Sequence, residues 1–165
     1  MKTQFIHAFY GTGKGKTSAA VGQAIRGVEE GETVTIIQFL KGKNADEFRL
    51  IEKLEPDVKI FRFDKSESYY RDLTIEEKEE EKINILNGFN YARKVIETGE
   101  SAVIVLDELL GLLDLGILDV DQVKELLTME GDYKRLYITG NVLPEELFPY
   151  VNVISEIQLK KNDIQ

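Results

Sequence analysis

Gly11-Thr12-Gly13-Lys14-Gly15-Lys16-Thr17-Ser18 directly follows the apolar run Phe5-Ile6-His7-Ala8-Phe9 and precedes Ala19-Ala20-Val21-Gly22-Gln23-Ala24-Ile25-Arg26, which has helical spacing. A strand that passes through a glycine-rich turn into Gly-Lys-Thr and a helix commits the chain to a βα unit built to hold phosphate. Glycines let successive N–H groups converge on phosphate oxygens, and the helix N-terminus adds its dipole. The candidate phosphate-binding set therefore runs from Gly11 through Thr12, Gly13, Lys14, Gly15, Lys16 and Thr17 to Ser18. Lys16 brings a positive charge to a phosphate, and the Thr17 hydroxyl suits magnesium. The strict pattern has a glycine where Tyr10 stands, but Gly11, Gly13 and Gly15 keep the turn's freedom. The expected ligand is a nucleoside triphosphate with magnesium.

The rest of the chain repeats the alternation. Strand-like segments are Gln4–Phe9, Thr33–Phe39, Val58–Phe63, Ala102–Leu106, Arg135–Thr139 and Val151–Leu159, several of them continuously apolar and β-branched. Such runs belong to strands covered on both faces. Helices are expected at Lys16–Glu30, Ala45–Leu54, Ile75–Thr98, Val120–Met129 and Glu145–Phe148, with Gly31 and Gly99 as stops. Thr74-Ile75-Glu76-Glu77 has capping-box spacing. The pattern predicts an α/β fold over residues 1–165: a single three-layer P-loop NTPase-like domain with a mostly parallel central sheet and helices on both faces. Lys41–Asn44, a short loop after the second strand, falls at the end of the sheet where ligands of open α/β folds bind.

Composition narrows the partners. A net charge of −9 and a pI near 4.8 argue against nucleic acid as a partner. Much of the acidity lies in Glu76-Glu77-Lys78-Glu79-Glu80-Glu81-Lys82, which reads as a solvated helix face. The absence of cysteine excludes disulfides, thiol nucleophiles and thiolate metal sites. No leader or membrane-length apolar run is evident, so a cytoplasmic protein without membrane contact is expected. His7, the one histidine, is expected to be packed and hydrogen-bonded in the first strand.

A second element completes the chemistry. Ala102-Val103-Ile104-Val105-Leu106 ends in Asp107-Glu108, and an acidic residue at such a strand end completes a magnesium site beside Lys16 and Thr17. This strand is read as a neighbour of the first, with both C-terminal ends at one edge. Spacing alone leaves open which of Asp107 and Glu108 touches the metal. Leu109–Leu115 reads as a buried helix, with a homodimer surface as the alternative.

Taken together, the chain resembles the P-loop type of ATP:corrinoid adenosyltransferase. The matching pieces are the glycine-rich loop, Gly22–Arg26, Val34–Gly42, Val105-Leu106-Asp107-Glu108, Gly116-Ile117-Leu118-Asp119, Ile138-Thr139-Gly140 and Pro144-Glu145-Glu146-Leu147. The resemblance implies that ATP presents its 5′ carbon to the cobalt of a reduced corrinoid and that triphosphate leaves. It implies Lys16 and Glu108 as catalytic residues, Thr17 and Glu108 as magnesium ligands, and Asp107 just behind them. Arg26 matches a family arginine, either as a nucleotide contact or in a surface salt bridge. Homodimers are common among such proteins.

The departures from the family fall, on this reading, on the acceptor side. The family's tryptophan-bearing aromatic segment is here Phe61–Arg71, with no tryptophan, and Tyr69 and Tyr70 are expected to form the wall against the corrinoid. Asn141 stands where the family has arginine, and the tail after the last strand is short.

Overall fold

The alternating apolar runs fold into one six-stranded sheet, seen in a computed structural model that describes residues 4–40 and 49–164. The strands are β1 (Phe5–Tyr10), β2 (Val34–Gln38), β3 (Val58–Arg62), β4 (Val103–Asp107), β5 (Arg135–Gly140) and β6 (Val153–Glu156). Their order is β3-β2-β4-β5-β1-β6, and every pair is parallel. The α-helices are α1 (Lys16–Glu29), α2 (Arg49–Glu52), α3 (Ile75–Thr98), α4 (Gly111–Asp114) and α5 (Val120–Thr128). Lys41–Asn44 and the start of the second expected helix lie outside the described residues.

Alternation along each strand divides the core in two. On one face Ala20, Val21 and Ala24 of α1 pack on Phe9, Val34, Ile36, Val103, Val105 and Tyr137. On the other, Ile85, Phe89, Ala92, Val95 and Ile96 of α3, with Leu112 of α4 and Val123, Leu126 and Leu127 of α5, cover Ala8, Ile37, Ile104, Leu106 and Ile138. β4 supplies both faces, which is why Val103–Asp107 is buried throughout. Leu109, Leu110 and Leu112 are wholly buried, so the first part of the leucine-rich segment after β4 is core, while Leu115 is exposed.

The strand order corrects one expectation. β4 is not beside β1; β5 lies between them, paired with both. Local sequence patterns identify strands but not their neighbours, and the intervening strand carries Thr139, whose hydroxyl bonds both Asp107 and Glu108 N. The last strand is also shorter than its apolar run, because β1 ends where Gly11 turns away at φ 126°, leaving no ladder beyond Ile157. Glu145–Tyr150 is 3-10 rather than α-helical, with Pro149 inside it. Among the described residues no helix is long and apolar enough to cross a membrane.

Helix ends follow the sequence signals. Thr74 accepts from Glu77 N (3.2 Å) while Glu77 Oε2 accepts from Thr74 N (2.8 Å), a complete capping box, and Gly99 closes α3 at φ 66°. Asp119 and Gln122 form a second box at α5. Replacing Thr74 by Ala should cost about 1 kcal/mol and lower the melting temperature by a few degrees, whereas Ser should hold it near wild type. Thermal melts of the two variants check this.

Candidate active site

α1 begins differently from α3 and α5. Its N-cap is Gly15, left-handed at φ 104°, no side chain caps it, and no acidic residue lies in its first turn. A helix start leaves its leading N–H groups without intrahelical acceptors, so here a positive helix end opens at the sheet's C-terminal edge. Lys16 Nζ donates to Gly13 O at 2.8 Å, which folds the side chain along the loop. Thr12, Lys14, Gly15 and Ser18 are exposed, Lys16 and Thr17 half-buried, and Gly11 and Gly13 buried.

Thr17 is tied to the end of β4. Its hydroxyl donates to Asp107 Oδ1 at 2.8 Å; Thr139 Oγ1 of β5 donates to the same oxygen at 2.8 Å, and Gln38 Nε2 of β2 to Oδ2 at 3.2 Å. Asp107 has no exposed surface. A buried carboxylate requires such donors, and three elements supply them. Arg62 Nε donates to Gln38 Oε1 at 2.7 Å, which fixes the amide with its NH2 toward Asp107.

Glu108 turns away from this network. Its backbone is left-handed at φ 63°, and its N–H donates to Thr139 Oγ1 at 2.8 Å. The turn brings it to the rim of an open cleft of about 410 Å³, lined also by Leu40, Tyr69, Tyr70, Leu115 and Asn141. The structure thus gathers Lys16, Thr17, Asp107 and Glu108 about one end of the sheet, and one cleft joins Glu108 to both tyrosines. Tyr69 is half-exposed, at 52%, and Tyr70 partly buried. Arg26 does not join this group. It lies exposed in the last turn of α1, ten residues or about 15 Å along the helix from Lys16. His7 is packed as expected: its ring stacks on Phe9 at 4.0 Å, and Nε2 pairs with Ser155 Oγ at 2.8 Å.

Sequence reasoning gave no chemical role to Thr139, Gln38, Arg62 or Asp64. Asp64, just beyond β3, accepts from Leu40 N at 2.9 Å and so holds a second left-handed residue (Leu40, φ 60°) on the cleft wall. Burial, reinforced by the charge of Glu81, pushes the Asp64 carboxyl up to about 6 against the opposing Leu40 hydrogen bond. A charged residue directly after an apolar edge strand was the only sequence signal for it.

Fold and site together define an α/β phosphate-loop protein with an acidic strand end facing an aromatic cleft. The family model for ATP:corrinoid adenosyltransferase BtuR/CobO/CobP matches residues 2–165, and the chain belongs to that family of transferases. It is 26% identical over 95% of its length to a corrinoid adenosyltransferase of Escherichia coli, covering 78% of that protein. A corrinoid adenosyltransferase of Sinorhizobium is 29% identical over 92% of this chain and 71% of its own. An uncharacterized Nostoc protein is 29% identical over 93% of this chain, which spans only 43% of it.

Asp64 gives the site a pH signature. Because its native pKa is raised from 3.8 to about 6, the folded protein binds this proton more tightly than the unfolded chain, and stability falls as pH rises through that window. Asp64→Asn keeps an oxygen acceptor for Leu40 but does not titrate. Its stability relative to wild type should therefore rise by about 2 kcal/mol between pH 4 and pH 7, read by urea unfolding at each pH. A flat difference would show that the carboxyl titrates normally.

Proposed function

We propose that this chain binds MgATP at the start of α1 and transfers the 5′-deoxyadenosyl group to the cobalt of a reduced corrinoid, releasing triphosphate. The observation that carries the reading is the single cleft in which Glu108, next to the Thr17–Asp107 pair, faces Tyr69 and Tyr70. The aromatic wall is related to the start of α1 through Glu108, which follows the Asp107 that Thr17 bonds, and through Asn141, whose carbonyl accepts from Gly11 N.

In this reading the triphosphate lies against the N-terminus of α1, with Lys16 swung from Gly13 O onto it. The helix end and the ammonium stabilise the charge that gathers on the leaving group. Thr17 and Glu108 hold magnesium, with Asp107 behind them keeping the Thr17 hydroxyl oriented. That donor set suits magnesium, which keeps waters and phosphate oxygens and needs only one or two protein ligands. When bound, the ion neutralises triphosphate charge. The reduced cobalt supplies an electron pair to the 5′ carbon, the carbon–oxygen bond breaks, and triphosphate departs with its electrons. Tyr69 and Tyr70 shield the acceptor face from water.

The product decides the reaction. Incubated anaerobically with MgATP and chemically reduced cobinamide, the protein should yield adenosylcorrinoid and equimolar triphosphate, and Lys16→Ala should lower the rate about a hundredfold or more. ADP accumulating without a cobalt–carbon bond would show phosphoryl transfer at the same loop. The acceptor wall is tested separately. Alanine at both Tyr69 and Tyr70 should raise the corrinoid KM about tenfold and leave MgATP affinity unchanged, as measured by titration calorimetry. Equal corrinoid KM values in the variant and wild type would remove the tyrosines from the site.

A further inference from the structure

The glycines at positions 11 and 13 meet the chain just after β6, and that contact assigns a role to a residue outside the loop. Gly13 N donates to Ile157 O at 2.9 Å, and Ile157 N donates to Tyr10 O at 2.8 Å, so residue 157 is bonded on both sides to the β1–α1 turn. Gly11 N is held from the other side by Gly140 O (3.2 Å) and Asn141 O (3.1 Å). A Cβ at Gly11 would lie 2.3 Å from Ile157 O; one at Gly13 would lie 2.8 Å from that oxygen and 2.7 Å from Ile157 Cγ2. Ile157, through its carbonyl at Gly11 and through its carbonyl and Cγ2 at Gly13, therefore leaves no room for a side chain at either position. The Ile157 side chain packs with the apolar cluster under α1, which anchors it independently of the loop.

We infer that Ile157 is a positioning residue for the triphosphate: it braces the first half of the phosphate loop from beneath, so that the donors offered to phosphate are those after Gly13, at the head of α1. This rests on the MgATP reading given above. Ile157 belongs to the apolar run Val151–Leu159 but lies just past the end of β6, where it meets the loop instead of a neighbouring strand. With Gly11 and Gly13 engaged by carbonyls on either side, the loop is set before ligand arrives, and binding need not order it.

The test is Ile157→Pro in the full chain, which removes the N–H to Tyr10 and displaces the carbonyl, with Leu159→Pro as a control two residues beyond the contact. Affinity for magnesium and inorganic triphosphate, which probes the loop alone, should weaken about tenfold in Ile157→Pro, as should that for MgATP. Corrinoid affinity and the Leu159→Pro control should match wild type. An Ile157→Pro protein with a lowered melting temperature but intact triphosphate affinity would reduce residue 157 to a structural role and overturn the inference. Should that variant not fold, hydrogen exchange of the wild type without nucleotide decides: a protected Gly13 amide supports the brace, and exchange at the rate of an unstructured peptide overturns it. A wild type that binds neither triphosphate nor MgATP would overturn the functional reading itself, an outcome distinct from a bound wild type and an equally tight proline variant.

Discussion

One buried carboxylate organises the site. Asp107 ends the central strand β4 with no solvent contact, and its oxygens take hydrogen from Thr17 of α1, Thr139 of β5 and Gln38 of β2. Through Gln38 the network reaches Arg62 at the end of β3. Five elements are thus pinned at their functional ends to one residue, and each has reason to stay there. A buried anion stripped of one partner costs several kcal/mol, so the alignment of strand ends is maintained by charge burial as well as by the sheet. The phosphate loop inherits this order directly, because Thr17 belongs both to the network and to the first turn of α1.

The cleft is made by breaking two neighbouring strands in the same way. β2 and β4 are paired, and each is followed within two residues by a left-handed, non-glycine residue, Leu40 at φ 60° and Glu108 at φ 63°. Such a backbone costs about 1 kcal/mol or more apiece and persists only where surroundings impose it. Here each is imposed by a side chain from the adjacent element: Asp64 receives Leu40 N, and Thr139 Oγ1 receives Glu108 N. Thr139 therefore serves twice, donating to Asp107 and accepting from Glu108. One strand end gives a carboxylate that looks inward and a carboxylate that looks outward, and a single threonine holds them in those opposite attitudes.

The sequence made the elements legible, and the contacts between distant elements much less so. Period and composition identified all six strands and the long helices because each is a local pattern, and Thr74 with Gly99 bounded α3 because caps act over a few residues. Strand order is not local, and β5 between β1 and β4 was missed for that reason. Thr139 was missed with it, since a threonine before a glycine is unremarkable until its strand is known to lie beside Asp107. Gly11 and Gly13 illustrate a subtler failure. Their presence in a phosphate-binding motif was recognised, but the atoms that require them belong to Ile157, about 145 residues away in sequence. Arg26, matched by position, lies 2–3 helical turns from the loop.

The two sides of the proposed site are built to different standards. The start of α1 is set by the Thr17–Asp107 bond and by contacts at Gly11 and Gly13 too close for a Cβ, and in the proposed reaction it offers a fixed array to triphosphate. The opposite wall rests on Tyr69 and a three-residue 3-10 turn, Tyr70–Asp72, none of whose residues is buried. Segments with few buried apolar contacts are the ones that move at low free-energy cost. In the proposed reaction this asymmetry follows from the substrates. Triphosphate charge is stabilised only by donors already in place, since reorienting them would consume the stabilisation they provide. A large macrocycle entering an open cleft needs a wall that can close on its face after it arrives, and tyrosines on a shallow turn provide aromatic area without a fixed seat.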